Sequence, residues 1–213
     1  MNYYYQALMS RSTNSVLILS ACYLLFAVFS GCGPRASIRR DYDFSQINRI
    51  GVMKFDSSQV GFFASYDPGN AVADEFVLQL LDRNVMVIER SCMEGVMSEQ
   101  DLWKSGSVDP VTVKKIGKLL GVDALIIGTV TKYIPDRKER FYMRDEQGKL
   151  REEIFVVNAE VGISARMVDV ESGVVIWASS YSYDSFYVDS AISQTVSAIM
   201  DTLKDILPAM KKR

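Results

Sequence analysis

The apolar positions of the chain fall into blocks with two different periods, and the blocks alternate. Residues 48–55 (NRIGVMKF) carry a short apolar run that reads as a strand. Residues 71–82 follow helical spacing, with Val72, Phe76 and Leu80 on one face and Ala73, Val77 and Leu81 beside them. Asn70 stands where an N-cap is wanted and starts that helix. Residues 84–89 (NVMVIE) read as a second short strand and 91–99 as a helix. The clearest unit comes next. Asp109 caps, Pro110 occupies the first turn where a missing amide costs nothing, and Val113, Ile116 and Leu120 line one side. Gly121 then ends the helix where a left-handed residue is needed, and 124–133 continue as an apolar strand. Helix followed directly by buried strand is the order of an α/β layer.

Beyond residue 133 the pattern changes. Twelve charged residues lie between Asp136 and Glu153, with Gln147-Gly148 as a turn. Arg137, Lys138, Arg140, Arg144, Lys149 and Arg151 alternate there with acids, which describes a solvated hairpin and not a nucleic-acid surface. Residues 155–170 alternate: Val157, Ala159, Val161, Ile163, Ala165 and Met167 face one way, Asn158, Glu160, Ser164 and Arg166 the other. Glu171-Ser172-Gly173 turns the chain into 174–182, completing a long antiparallel hairpin. A last helix over about 189–209 aligns Ile192, Val196, Ile199, Leu203, Ile206 and Met210 in one stripe, suited to a sheet or to a neighbouring subunit. Residues 56–70 mix Ser, Gly and Pro with Phe62, Phe63 and Tyr66, a loop whose aromatic tip either covers the core or meets a partner. The expected fold class is α/β: a mixed, mostly antiparallel sheet packed by helices, in one compact domain with a long C-terminal hairpin and a final amphipathic helix.

The N-terminal block is of another kind. Arg11 precedes a mostly apolar stretch over 16–29, shorter than the roughly 20 residues of a membrane-spanning helix. With small residues Ser30 and Gly31 after it, the stretch has the three-part form of a secretory signal. Phe29-Ser30-Gly31-Cys32 resembles a bacterial lipobox, with Phe29 where leucine is usual; that resemblance implies cleavage before Cys32 and lipidation of its thiol. Leu19-Ser20-Ala21-Cys22 fits the four-residue pattern too, but its apolar lead is only 16–19, against the roughly 7 to 15 residues a signal needs. The alternative to a signal is an uncleaved N-terminal helix with Cys32 as a buried bystander. Met9 is an alternative start to Met1, since Arg11 lies well inside the chain. Gly33 after the cysteine, in place of Asp, resembles outer-membrane sorting. The organisation expected is thus a signal peptide over 1–31, a lipidated cysteine and short polar tether over 32–45, and a periplasmic domain over 46–213.

Composition removes most chemistry. The chain has no histidine, the usual proton shuttle near neutral pH and the commonest metal ligand. With Cys22 removed and Cys32 acylated, Cys92 is the one remaining thiol, so no internal disulfide forms and Cys92 reads as a buried structural residue. No phosphate-binding glycine loop exists; Gly117-Lys118 falls inside a helix. Glu89, Glu94 and Glu99 are the carboxylates nearest a strand end, where open α/β sheets bind ligands, yet nothing in the sequence brings two of them together. The expectation is no enzymatic activity, no cofactor and no metal. A net charge of -2 offers nothing to nucleic acid.

Several strings resemble, in order, the CsgG-like family of bacterial outer-membrane lipoproteins. They are the lipobox, residues 50–55, Val87-Ile88-Glu89-Arg90, Ser98-Glu99-Gln100, and the helix-to-strand turn from Gly117 through Gly121 to Ala124, with Gly128 in the strand. Met167-Val168-Asp169-Val170 and Gly173 through Trp177 complete the set. The resemblance implies a scaffold before an active site. The family's curli secretion channel is a ring whose subunits add hairpins to a shared barrel, an exopolysaccharide-secretion relative forms a barrel-less periplasmic ring, and another stimulates a peptidoglycan synthase. In this chain a membrane hairpin over 134–153 would place several ions in lipid, at about 2 to 4 kcal/mol for each badly placed basic residue. The resemblance therefore implies a periplasmic lipoprotein on the outer membrane, assisting secretion or assembly of a surface polymer or appendage. Expected partners are other copies in a ring, an outer-membrane secretion or envelope-assembly protein, and the membrane through the lipid. The other readings are a monomeric activator of a peptidoglycan synthase and a structural accessory to an appendage or motor complex. Phe62, Phe63, Tyr66 and Arg140 are the candidate contact residues, and Cys32 the lipidation site.

Overall fold

The computed structural model describes residues 33–58, 67–88, 110–144 and 146–207. In chain order the strands are β1 (Arg35–Ile38), β2 (Arg49–Val52), β3 (Met86–Ile88), β4 (Ala124–Ile134), β5 (Arg137–Arg144), β6 (Leu150–Val157), β7 (Ala159–Asp169) and β8 (Val175–Ser185). The helices are α1 (Pro68–Asp82), α2 (Pro110–Leu120) and α3 (Val188–Asp201). Six strands form one sheet in the order β1-β8-β7-β4-β2-β3, and β5 and β6 form a separate ribbon. Only β2 runs parallel to its neighbours, β3 and β4; every other pair is antiparallel. This is the mixed, mostly antiparallel sheet that the hydrophobic pattern predicts.

Alternation decides which face of the sheet is covered. Ala159, Val161, Ile163, Ala165 and Met167 of β7 are buried, whereas Ser164 and Arg166 are exposed. The buried set meets Val72, Phe76 and Leu80 of α1 and Ile192, Val196 and Ile199 of α3 in the main core. A polar stitch holds the two helices together: Gln79 Nε2 donates to the Ser193 carbonyl at 3.0 Å, and Ser193 Oγ to Glu75 Oε1 at 2.9 Å. On the opposite face a smaller cluster gathers Met53, Val122, Leu125, Ile127, Val168 and Val170, with Leu120 of α2 packed against it. Between α2 and β4 the chain reverses within three residues, and Gly121 takes φ +63° there. A side chain is disfavoured in that conformation, so the predicted glycine stop has a steric cause.

Four boundaries differ from the sequence reading. First, α1 begins at Pro68 and its cap is Asp67, not Asn70; Asp67 Oδ1 accepts the Gly69 amide at 3.0 Å. Asp67-Pro68 is the same cap-and-proline signal that marks Asp109-Pro110. Second, within the stretch read as a polar tether, Arg35–Ile38 pairs with β8 and Phe44 is buried in the main core. Third, the alternating run over 155–170 is interrupted at Asn158, which leaves β6 in the ribbon and β7 in the sheet. Fourth, α3 ends at Asp201 instead of running to 209. There Thr202 Oγ1 donates back to the Ile199 carbonyl at 2.7 Å while accepting from Trp177 Nε1 at 3.0 Å. Tight turns then carry the apolar stripe on, so Leu203 and Leu207 are still buried.

The aromatic loop with Phe62, Phe63 and Tyr66, the helix expected at 91–99, Asp109, Cys92, Glu89, Glu94 and Glu99 lie outside the described residues, as do Cys32 and the signal segment. The side chains of Val113 and Ile116 and Met210 do so too. Among the described residues, no helix is long and apolar enough to cross a membrane.

Candidate interaction surfaces

The ribbon grows out of the sheet where the β4–β7 ladder ends at Ile134 opposite Glu160. Its register runs from Arg137 opposite Val157 to Arg144 opposite Leu150. Directly opposed residues share a face. One face therefore holds Arg137, Glu139, Phe141 and Met143 against Val157, Phe155, Glu153 and Arg151; the other holds Lys138, Arg140, Tyr142 and Arg144 against Val156, Ile154, Glu152 and Leu150. Both faces mix ions with apolar groups, so neither forms a core. Phe141 and Phe155, half-exposed at 45% and 50%, meet edge to face at 5.2 Å. Arg140, the predicted contact residue, is exposed, with its guanidinium 3.5 Å from Glu152. An ion pair so open to water contributes little to stability and leaves the guanidinium accessible.

At the root of the ribbon, Asp136 Oδ1 accepts the Val188 amide at 2.9 Å, closing the first turn of α3. The N-cap residue of α3 is Tyr187, whose side chain makes no capping bond. Beside this junction β8 leaves the sheet through an aromatic run in which Tyr183, Phe186 and Tyr187 are exposed at 39%, 69% and 70%. Reading the sequence as α3 plus hairpin passed over these residues. The signal was present in YSYDSFY, whose aromatics at 186 and 187 belong to neither the strand alternation nor the helical stripe.

A shallow groove of about 270 Å³ lies on the α2 side, lined by Tyr42, Lys118, Asp123, Asp169 and Glu171 among others. Its two central carboxylates are occupied by the fold. Asp123 Oδ2 accepts the amides of Asn48 and Arg49, each at 2.8 Å, and so fixes the entry to β2. Asp169 Oδ1 accepts the Tyr42 hydroxyl at 2.8 Å, while its other oxygen takes the Ser172 amide at 2.7 Å and the Ser172 hydroxyl. Burial alone would raise the Asp169 pKa, but the Ser172 and Tyr42 bonds outweigh it and hold the carboxyl below its usual range. Burial and the adjacent Asp169 charge push the Tyr42 phenol up, so it stays protonated and donating. An ionised acceptor and a locked donor do not exchange protons near neutral pH. The groove is a set of struts for the β7–β8 turn, and among the described residues no group of His, Cys, Asp or Glu is arranged to hold a metal.

The described residues thus form a sheet whose polar groups brace turns, with a charged ribbon and an aromatic rim exposed. The chain belongs to the family of CsgG, the curli production assembly/transport component, whose family model matches residues 37–201. Among solved structures it is similar to a PelC dodecamer from Paraburkholderia phytofirmans, at 12% identity over 84% of this chain and 97% of that one, with a TM-score of 0.44. Lipoprotein GNA1162 from Neisseria meningitidis aligns at 17% identity over 74% and 98%, with a TM-score of 0.46. The LpoB C-terminal domain from Salmonella enterica aligns at 9% over 65% and 84%, with a TM-score of 0.40. At those scores the folds agree only loosely. No curated protein gives a significant match.

Proposed function

We propose that the protein is a periplasmic scaffold held to the outer membrane by a lipid on Cys32, assembling with copies of itself and assisting secretion or assembly of a surface polymer or appendage. The observation that carries this reading is membership of the curli assembly/transport family across residues 37–201. The ribbon favours assembly through aqueous contacts over a membrane barrel built by this chain. β5 and β6 have 8 residues each, against the roughly 9 to 11 of a membrane strand, and neither face is an uninterrupted apolar series. Arg140 on the ribbon, together with Phe62, Phe63 and Tyr66, supplies the contacts to neighbouring copies or to an envelope protein.

Native mass spectrometry of detergent-extracted protein tests this directly. The expected result is a discrete multimer whose subunit mass includes acyl chains, and Cys32→Ser removes that added mass. A lipidated monomer would sink the ring and favour the alternative, an activator that touches a peptidoglycan synthase. Protein without acyl mass would sink the anchor.

A further inference from the structure

We infer that one face of the ribbon, the face of Lys138, Arg140, Tyr142 and Arg144, binds an acidic, partly apolar segment of another polypeptide in extended form. The inference rests on the reading of Arg140 as a contact residue proposed above, and it names the partner's chemistry. It comes from a difference between the two faces. The register gives one face two cations and two acids, Arg137 and Arg151 with Glu139 and Glu153. Arg137 and Glu139 pair there at 2.6 Å, and Phe141 and Phe155 close on each other at 5.2 Å. The other face carries three cations, Lys138, Arg140 and Arg144, and one acid, Glu152. Glu152 lies 3.5 Å from Arg140, while the residues directly opposite Lys138 and Arg144 are Val156 and Leu150, which offer a cation nothing. This face therefore keeps a positive excess.

The apolar groups of this face fall in a row of their own. The cations and Tyr142 occupy β5, whereas Leu150, Ile154 and Val156 occupy β6, exposed at 58%, 56% and 53%. Solubility accounts for charges on a hairpin in water but not for three aliphatic side chains set beside them. An extended peptide that alternates acidic and apolar residues, laid along the face, turns its carboxylates toward β5 and its apolar side chains toward β6. The spacing agrees: positions 138, 140, 142 and 144 recur along the strand at about 6.8 Å, and so do alternate residues of an extended peptide. An anionic polysaccharide would meet the cations but has no aliphatic side chains to set against β6. The charges steer encounter and fix orientation, and the aliphatic row supplies burial.

Fluorescence anisotropy of a labelled peptide alternating glutamate and valine, titrated with the full-length protein, tests this. The expected result is saturable binding that weakens about tenfold when Lys138→Glu and Arg144→Glu are combined, and weakens also in Ile154→Ser, which keeps every charge. Arg140→Gln is a second charge variant should the double substitution disturb the ribbon. Arg137→Glu, on the opposite face, is expected to leave binding unchanged. Equal weakening by Arg137→Glu, or equal binding of a peptide alternating lysine and valine, overturns the inference. Polygalacturonate that binds as tightly as the peptide and is indifferent to Ile154→Ser would assign the face to an anionic polysaccharide and overturn it too. So would a multimer that dissociates in native mass spectrometry on Lys138→Glu with Arg144→Glu, by assigning the face to a second copy. A monomeric parent that binds the peptide on this face supports the inference while sinking the assembly proposed above, and a multimer that binds no peptide does the reverse.

Discussion

The two antiparallel hairpins of this protein have similar backbones and opposite fates. β7–β8 and β5–β6 both turn near a glycine of positive φ, Gly173 at 72° and Gly148 at 78°. In β7 the apolar residues from Ala159 to Met167 keep to one face, and that face is sealed under α1 and α3. In β5 and β6 apolar and charged residues are crossed between strands, so each face carries both kinds and both stay in water. Backbone pairing builds either hairpin; the distribution of side chains decides which one is buried in the core and which one stays exposed. Burial and exposure thus fall to separate parts of one continuous chain, joined where β4 and β7 run on into the ribbon.

The sharpest way to break this contrast is at Trp177. Its ring is 1% exposed, lies on β8 opposite Met167, and donates to Thr202 beyond the end of α3. Trp177→Ala opens a cavity and strips Thr202 of a donor, so it is expected to lower unfolding free energy by about 3 to 5 kcal/mol. Urea unfolding followed by circular dichroism measures it; a loss below 1 kcal/mol would mean that the β7–β8 hairpin is not the structural one.

Asp169 gives a smaller effect with a pH signature. Replacing it by Ala orphans the Tyr42 hydroxyl and the Ser172 amide and is expected to cost about 1 to 3 kcal/mol at pH 7. Its carboxyl is held below the ordinary value, so its charge-dependent stabilisation is complete above the unfolded-chain pKa of about 3.9 and is lost as pH falls through the lower folded value. The gap between the parent protein and Asp169→Asn should accordingly narrow below about pH 4. A gap constant from pH 7 to pH 2 would assign the residue a purely steric role.

Much of this architecture is legible in the sequence because burial leaves a period behind. The two-residue alternation from Ala159 to Met167 and the steps of three and four from Ile192 to Leu203 each report one buried face. Asp169 was readable as a turn residue, since an Asp two residues before Glu171-Ser172-Gly173 has amides within reach. Other features leave no such trace. Arg35–Ile38 is exposed at every position and too short to show a period; its strand exists because β8 offers an unpaired edge. The cap at Asp67 was obscured by a second capping residue, Asn70, close behind it. Exposed side chains are the least legible part, because a residue kept in water obeys neither period, as at Phe186 and Tyr187.

The smallest predicted effect falls on the ribbon, and its smallness is the point. Phe141 and Phe155 lie diagonally across β5 and β6, and their edge-to-face contact is an apolar interaction that the ribbon makes within itself. Such a pair is worth about 0.5 to 1.5 kcal/mol beyond the area it buries, and that energy holds together the ribbon and not the sheet. Phe141→Ser is therefore expected to leave global unfolding within about 0.5 kcal/mol of the parent, as substitutions away from the core usually do. Hydrogen exchange of the β5 and β6 amides should nevertheless speed up, because local opening there no longer works against the ring pair. If Phe141→Ser instead lowered global stability as much as Trp177→Ala, the ribbon would be part of the folding core and the division between the two hairpins would be wrong. If global stability held while the multimer dissociated in native mass spectrometry, the division would gain its functional half: a hairpin the fold can spare and the assembly cannot.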